Sequence, residues 1–265
     1  MDYLSIQTTG PQYIDHAALP EAHSATLPSL KCFRLNFRQV NLVSRRLAQR
    51  INAPNLERLE VTHVSMDDLK SVDAFIRTSA RSFVTVFSIK QLSDLSNDEY
   101  PDVQLCDILL PILRNLPALH RLYIYHIHDP LNFTPLFDTL IRAQNDQQPP
   151  CPQLKELHLA GNGVRSSAHA LQDWVENRLG SSEPAASPTS RPLRLSRSAV
   201  LQAIYLQEVW LIDIEDFTDQ TNEFGQRERN PTTVAPLSRL LEAEKAGVLK
   251  YGVSIGSWDD GWEIR

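Results

Sequence analysis

The sequence predicts an α/β repeat protein, in which strands and helices alternate along a single domain that covers residues 1–265. Two observations support this fold class. A six-residue apolar pattern recurs along the chain, and apolar residues with helical spacing lie between its copies. Of the 265 residues, 42% are hydrophobic and 22% charged, which is enough apolar material for a sizeable core. We therefore expect an ordered array.

The recurring pattern is apolar-x-x-apolar-x-apolar, and each copy predicts one strand. Successive copies have their central apolar residues 26 to 52 positions apart. The clearest copies are Leu30/Phe33/Leu35, Leu56/Leu59/Val61, Leu119/Leu122/Ile124 and Leu154/Leu157/Leu159, and weaker ones are Met1/Leu4/Ile6, Val84/Phe87/Ile89, Leu206/Val209/Leu211 and Val248/Tyr251/Val253.

A proline precedes each clear copy and predicts where the strand is entered, because proline ends a helix and favours extended backbone in the residue before it. Between the copies, spacings of three and four residues predict amphipathic helices. Strands connected through helices must run parallel. The helical segments are Val40/Val43/Leu47/Ile51, Leu69/Val72/Phe75/Ile76, Leu105/Ile108/Leu109/Ile112, Leu136/Phe137/Leu140/Ile141, Leu171/Trp174/Val175/Leu179 and Leu237/Leu240/Leu241.

The spacing in the first half is close to the roughly 20–29 residues of leucine-rich repeats, and it lengthens in the second half. The sequence thus predicts an irregular leucine-rich-repeat-like solenoid of about eight strand units. Its parallel strands are expected on the concave face and its helices on the convex face. The Ser-, Pro- and Arg-rich segment 180–198 predicts a flexible insert, and 216–231 a polar loop. We interpret Trp258–Trp262 as a cap on the last repeat, with a short docking motif as the alternative.

Composition also excludes several classes of function. The net charge of −6 and the lack of a basic run argue against nucleic acid as a ligand. The sequence has neither a signal peptide nor an apolar run approaching the ~20 residues of a membrane span. Cys32, Cys106 and Cys151 lie far apart, so we expect free thiols. We therefore expect no membrane association, and a cytoplasmic or nuclear protein.

Motifs that carry chemistry are weak or incomplete. His126 and His128 lack a third ligand at the spacing of a zinc site. Gly161-Asn162-Gly163 completes no nucleotide-binding motif and predicts a tight turn after a strand. Neither a GxSxG nor an HExxH motif occurs. We expect no catalytic residues, metal or cofactor, and the less favoured alternative is an enzyme with a scattered site.

A binding surface is predicted on the strands. If the first, fourth and sixth pattern positions face the core, then the third, fifth and seventh face outward. This places an exposed aromatic cluster, of a kind enriched at protein interfaces, beside a basic row. The alternative is that the insert or the C-terminal tail covers the aromatic residues. The candidate residues are Tyr123, Tyr125, His158 and Trp210 in the cluster, Arg121 and Glu156 at its flank, and Arg34 and Arg58, which form the basic row with Arg121.

Six segments, which together extend over nearly the whole chain, carry a resemblance to a known family. They are PNLERLEV (54–61), LLPILRNLPALHRLYI (109–124), CPQLKELHL (151–159), LQDWVENRL (171–179), LQEVWLI (206–212) and LSRLLEAEKAGVLKYGVSI (237–255). In these segments the chain resembles the leucine-rich-repeat part of the large F-box protein family of mushroom-forming fungi. This resemblance implies a non-enzymatic protein-binding module that selects substrates for a ubiquitin ligase.

The sequence departs from that family at two points. Leu4 already belongs to a predicted strand, so the ligase adaptor is an expected partner only if an F-box is missing from this sequence. The Asn that the repeat consensus places after the strand occurs only at Asn162, which predicts irregular curvature. The alternative function is a scaffold or inhibitor that acts independently of a ligase.

Overall fold

A computed structural model describes residues 3–7, 25–37, 51–80, 83–92, 101–125, 127, 131–147, 149–161, 163–179, 201–207, 209–211, 238–247 and 250–254. They form a mixed α/β fold around one large parallel sheet. In chain order the strands are β1 (Tyr3–Gln7), β2 (Ala25–Thr26), β3 (Cys32–Asn36), β4 (Ile51–Asn52), β5 (Arg58–Val64), β6 (Val86–Leu92), β7 (Arg121–Tyr125), β8 (Leu131–Asn132), β9 (Glu156–Ala160), β10 (Val164–Ser166), β11 (Ala203–Gln207), β12 (Trp210–Leu211) and β13 (Lys250–Ser254).

The large sheet has eight strands in the order β1-β3-β5-β6-β7-β9-β11-β13, which is the order of the chain. All seven neighbouring pairs are parallel and share one register, so that the first residue of each strand pairs with the first residue of the next. The predicted parallel sheet is therefore confirmed. Two small sheets, β12-β10-β8 and β2-β4, accompany it.

The entry to each strand is built in the same way in successive units. A turn containing Pro28, Pro54, Pro117 or Pro152 closes with a backbone hydrogen bond of 3.1 to 3.2 Å just before the strand. Proline suits the second position of such a turn because its φ angle is already set. One carbonyl then accepts hydrogen bonds from two consecutive N–H groups of the next unit. The accepting carbonyls are those of Lys31, Glu57, Thr85, His120 and Lys155.

Within the described residues five α-helices lie between strands, and they are α1 (Met66–Phe75), α2 (Pro101–Arg114), α3 (Thr134–Arg142), α4 (Ala168–Arg178) and α5 (Ser238–Lys245). A π-helical turn, Ile76–Ala80, follows α1, and a 3-10 turn, Ala143–Asn145, follows α3. Helix α1 begins at a capping box in which Ser65 and Asp68 satisfy each other's backbone N–H groups. These bounds confirm the helices predicted from the apolar spacing after residue 66.

The core lies between the sheet and the helices. In β3, β5, β6, β7 and β9 the fourth and sixth pattern positions are buried, as predicted, and meet the buried faces of the helices. The ring centroids of Phe33 and Phe75 are 5.3 Å apart, and those of Phe137 and Trp174 are 5.4 Å apart. Consecutive helices α1 to α4 also contact one another. Cys106 and Cys151 are buried and Cys32 is half-buried, and all three are free thiols as predicted.

The seventh strand of the large sheet begins earlier than predicted. The predicted strand had Val209 at its centre, but the strand that pairs with β9 and β13 is Ala203–Gln207. Among the described helices, none is long and apolar enough to cross a membrane. The first predicted helix was expected to include Ile51, but Ile51 lies in strand β4. The remainder of that helix, the insert at 180–198, the loop at 216–231 and the cap at 258–262 lie outside the described residues.

Candidate functional site

The outward face of the large sheet carries side chains in straight rows, because all seven strand pairs share one register. The central row contains the fifth pattern position of every strand. Neighbouring members of such a row are about 4.8 Å apart, which is close enough for side-chain contact. From β3 to β11 the row consists of Arg34, Glu60, Ser88, Tyr123, His158 and Tyr205.

Four rings from β7, β9 and β11 are in contact one after another and are here called the aromatic ladder: Tyr125, Tyr123, His158 and Tyr205. The successive centroid distances are 5.6, 4.3 and 4.4 Å, and His158 and Tyr205 are stacked at an interplanar angle of 26°. Only 8% of Tyr123 and 6% of His158 is exposed. The prediction of an exposed cluster is wrong for these two residues, because each lies between two other rings of the ladder.

Trp210 does not belong to the ladder. It lies in β12, which pairs with β10 in the three-stranded sheet, and Tyr205 takes the position in the large sheet that was predicted for Trp210. The sequence also contains a copy of the apolar pattern at the position where the structure has this strand. Leu201, Ile204 and Leu206 also fit the apolar pattern, and Ile204 lies 47 residues from both Leu157 and Tyr251.

The aromatic ladder is uncharged at neutral pH. Burial, together with Arg121, lowers the pKa of His158 to about 4. The Nε2 atom of His158 makes no hydrogen bond within the described residues. It lies 3.6 Å from a Glu156 oxygen that is also 3.3 Å from Nε of Arg121. Burial and Glu156 raise the pKa of Tyr123, while burial and Tyr123 raise that of Tyr125. The ladder is thus suited to apolar contact and stacking.

Next to the ladder, three cations surround one buried carboxylate. We call Arg34, Arg58 and Lys90, with Glu60 between them, the cation cluster. Only 2% of the Glu60 side chain is exposed, and its oxygens lie 2.9 Å from Nη2 of Arg34, 3.0 Å from Nζ of Lys90 and 3.7 Å from Nη2 of Arg58. Burial alone would raise the pKa of Glu60, but the interactions with Lys90 and Arg34 outweigh it and lower the pKa. Glu60 is therefore ionised.

The cation cluster and the aromatic ladder form one surface. The ammonium group of Lys90 lies 5.6 Å from the ring centroid of Tyr125, which is within the range of a cation–π contact. The three arginines of the predicted basic row do not form one group in the structure. Arg34 and Arg58 converge on Glu60, whereas Arg121 pairs with Glu156 beside the ladder.

Sequence reasoning placed Glu60 and Lys90 on the outward face but did not recognise them as a site. Each lies on a different strand from Arg34, and only the strand register brings residues 26 to 56 positions apart around one carboxylate. Sequence spacing alone carries no signal of this convergence.

Within the residues that the structure describes, no group of three His, Cys, Asp or Glu side chains lies together as metal ligands. An internal cavity between sheet and helices is lined by apolar side chains, including Phe133 and Trp174, and by Cys151. Burial raises the pKa of Cys151, which leaves its thiol protonated and unreactive.

No protein family, curated protein or solved structure matches this chain.

Proposed function

We propose that this chain is a non-enzymatic protein-binding module that uses the outward face of its large sheet. The observation that supports this most is the continuity of the aromatic ladder with the cation cluster and with the Arg121–Glu156 pair. These residues come from six neighbouring strands of the large sheet, which are β3, β5, β6, β7, β9 and β11. Six strands span roughly 24 Å at ~4.8 Å per strand, which is comparable to the width of a standard protein interface.

The chemistry of this face favours a protein partner. Tyrosine and arginine are enriched among the residues that dominate binding energy in protein interfaces. Ring stacking fixes Tyr123, and the ion pair with Glu60 fixes Arg34, so a partner would immobilise few additional side chains. A small-molecule site, in contrast, is normally a concave pocket with convergent polar groups.

We further propose that the fold is an irregular leucine-rich-repeat-like solenoid with the binding surface on its concave face. The constant strand register and the repeated turn and carbonyl arrangement at the strand entries support this proposal. By its resemblance to the fungal F-box family, such a module would recognise substrates for a ubiquitin ligase in the cytoplasm or nucleus. A scaffold or inhibitor that is independent of a ligase is the second candidate.

An enzyme on the same scaffold is less well supported. On the outward face Glu60 and Glu156 are held in ion pairs, and His158 is neutral with a pKa of about 4. A general acid or base is most effective when its pKa lies near the working pH. The pKa of Glu60 is lowered and that of His158 is about 4, so neither group meets that condition.

Site-specific photocrosslinking tests the binding proposal. A benzophenone amino acid replaces Tyr125 on the outward face or, as the control, the exposed His169 on α4, and both variants are expressed in native cells. We expect a defined crosslinked protein only from position 125. The further change Arg121→Glu should reduce its yield, and the purified partner should bind the unmodified chain. Equal crosslinking from both positions, or a yield insensitive to Arg121→Glu, would contradict the proposal.

A second measurement separates the two candidate roles. Co-purification of the ligase adaptor with the native gene product supports the substrate receptor. Partner binding without the adaptor supports the scaffold or inhibitor.

A further inference from the structure

We propose that the partner presents an acidic segment, and that two neighbouring carboxylate side chains of this segment bind at the cation cluster of Arg34, Arg58 and Lys90. This inference rests on the proposed protein-binding function and names the chemistry of the partner.

Among the residues that the structure describes, the charge of the cation cluster is not balanced by neighbouring carboxylates. Three cations share the single carboxylate of Glu60, so two positive charges remain. The adjacent Arg121 is paired with Glu156 and does not change this excess. The chain as a whole carries a net charge of −6. A positive patch on an acidic protein attracts a locally acidic partner.

The cations are accessible and have unused hydrogen-bonding capacity. The exposed fraction of the side chain is 36% for Arg34, 24% for Arg58 and 34% for Lys90. Within the described residues, the one ion pair of the Arg58 guanidinium is with Glu60, at 3.7 Å, which is longer than a hydrogen bond. Arginine presents five donors in a fixed geometry that matches a carboxylate.

The position of the cluster favours a peptide over other anions. Lys90 contacts Tyr125, so a chain bound at the cations can continue over the aromatic ladder, where its apolar side chains would stack. A nucleic acid would need phosphate contacts along a longer basic track, and the net charge of −6 opposes it. Two carboxylates on one segment match the excess of two positive charges.

Fluorescence anisotropy on the purified full chain tests the inference. The probe is a labelled peptide with a run of glutamates followed by tyrosine, and the reference peptide has glutamine in place of each glutamate. At ~0.05 M ionic strength, where screening is weak, we expect the glutamate peptide to bind at least about tenfold more tightly. Equal affinities for the two peptides would overturn the inference. So would binding confined to a phosphoserine peptide or to a single-stranded RNA of similar length.

Two substitutions with opposite expected effects locate the binding at the cluster. Two unit charges about 6 Å apart in a water-like dielectric change Kd about threefold. Arg58→Gln should therefore weaken binding of the glutamate peptide about threefold, and Glu60→Gln should strengthen it by a similar factor. Lys70→Gln removes an equal charge from an exposed position on α1 and should leave Kd unchanged.

A merely structural role for Glu60 predicts that Glu60→Gln weakens binding, and that result would refute the inference. If Glu60→Gln does not fold, the affinities of Arg58→Gln and Arg34→Gln for the glutamate peptide are compared with that of Lys70→Gln. Equal affinities in all three variants refute the inference. The outcome is also separable from the proposed function. A specific crosslink from position 125 that the glutamate peptide does not compete away rejects the acidic segment alone, whereas the absence of any specific crosslink from position 125 rejects both proposals.

Discussion

Acidification from pH 7 to pH 5 should destabilise the folded chain through His158. This imidazole is stacked between Tyr123 and Tyr205, with centroid distances of 4.3 and 4.4 Å, and its pKa is about 4 because of burial and Arg121. In the unfolded chain the pKa of a histidine is about 6.5. The folded state therefore binds the proton less readily than the unfolded state. The stability that depends on neutral His158 is complete above pH ~6.5 and is lost as the pH falls towards 4.

The size of this effect follows from the two pKa values. Their difference corresponds to about 3 kcal/mol in the free energy of unfolding once the pH is below both. Between pH 7 and pH 5 the same relation gives a loss of about 2 kcal/mol. His158→Phe keeps a ring between the two tyrosines but removes the titration. This variant should therefore lack that part of the loss.

Urea unfolding of the wild type and of His158→Phe at both pH values measures the effect. Contributions from other histidines and from carboxylates cancel when the two pH-dependent losses are subtracted. His169→Phe, at an exposed position, is the control and should behave as the wild type. The reasoning is refuted if the wild type and His158→Phe lose the same free energy between pH 7 and pH 5.

Three further substitutions test the fold and the surface. Gly161→Ala should lower the free energy of unfolding by about 3 kcal/mol or more, because φ is +135° and a Cβ would lie 2.5 Å from the backbone nitrogen of Ile127. A loss below about 1 kcal/mol in a denaturant titration would contradict this prediction. Trp174→Ala should cost about 3–5 kcal/mol by the same measurement, because the buried side chain leaves a cavity. Arg121→Ala should change stability by less than about 1 kcal/mol, because its ion pair is exposed, and a larger change would show that the pair is structural.

The alternation of strands and helices could be predicted because it is written in local spacing. Apolar residues recur with period two around Leu59 and Leu122 and with periods three and four in α2. Each segment can therefore be recognised as a strand or a helix from its own residues. The seventh strand was misplaced because Leu206 satisfies two overlapping copies of the pattern, centred on Ile204 and Val209. The choice between them depends on pairing with β9 and β13, and this long-range information is absent from local spacing.

The candidate site was predictable in part for the same reason. Alternation along a strand places Arg34, Arg58 and Tyr125 on the outward face without any knowledge of the neighbouring strands. The role of Glu60 could not be found in this way, because its importance comes from cations on the strands to either side. Nor could the burial of His158, because its cover is provided by rings from two other strands.

The single register of the large sheet sets the spacing at which a bound segment would meet the side chains of the sheet. A ligand that lies across the strands meets a new side chain at every strand spacing, about 4.8 Å. An extended peptide repeats its same-side residues every ~6.7 Å, which is out of phase with that spacing. A polyproline II segment repeats every third residue, after about 9.3 Å, which is close to twice the strand spacing. Every third residue of such a segment would therefore lie over every second strand of the sheet.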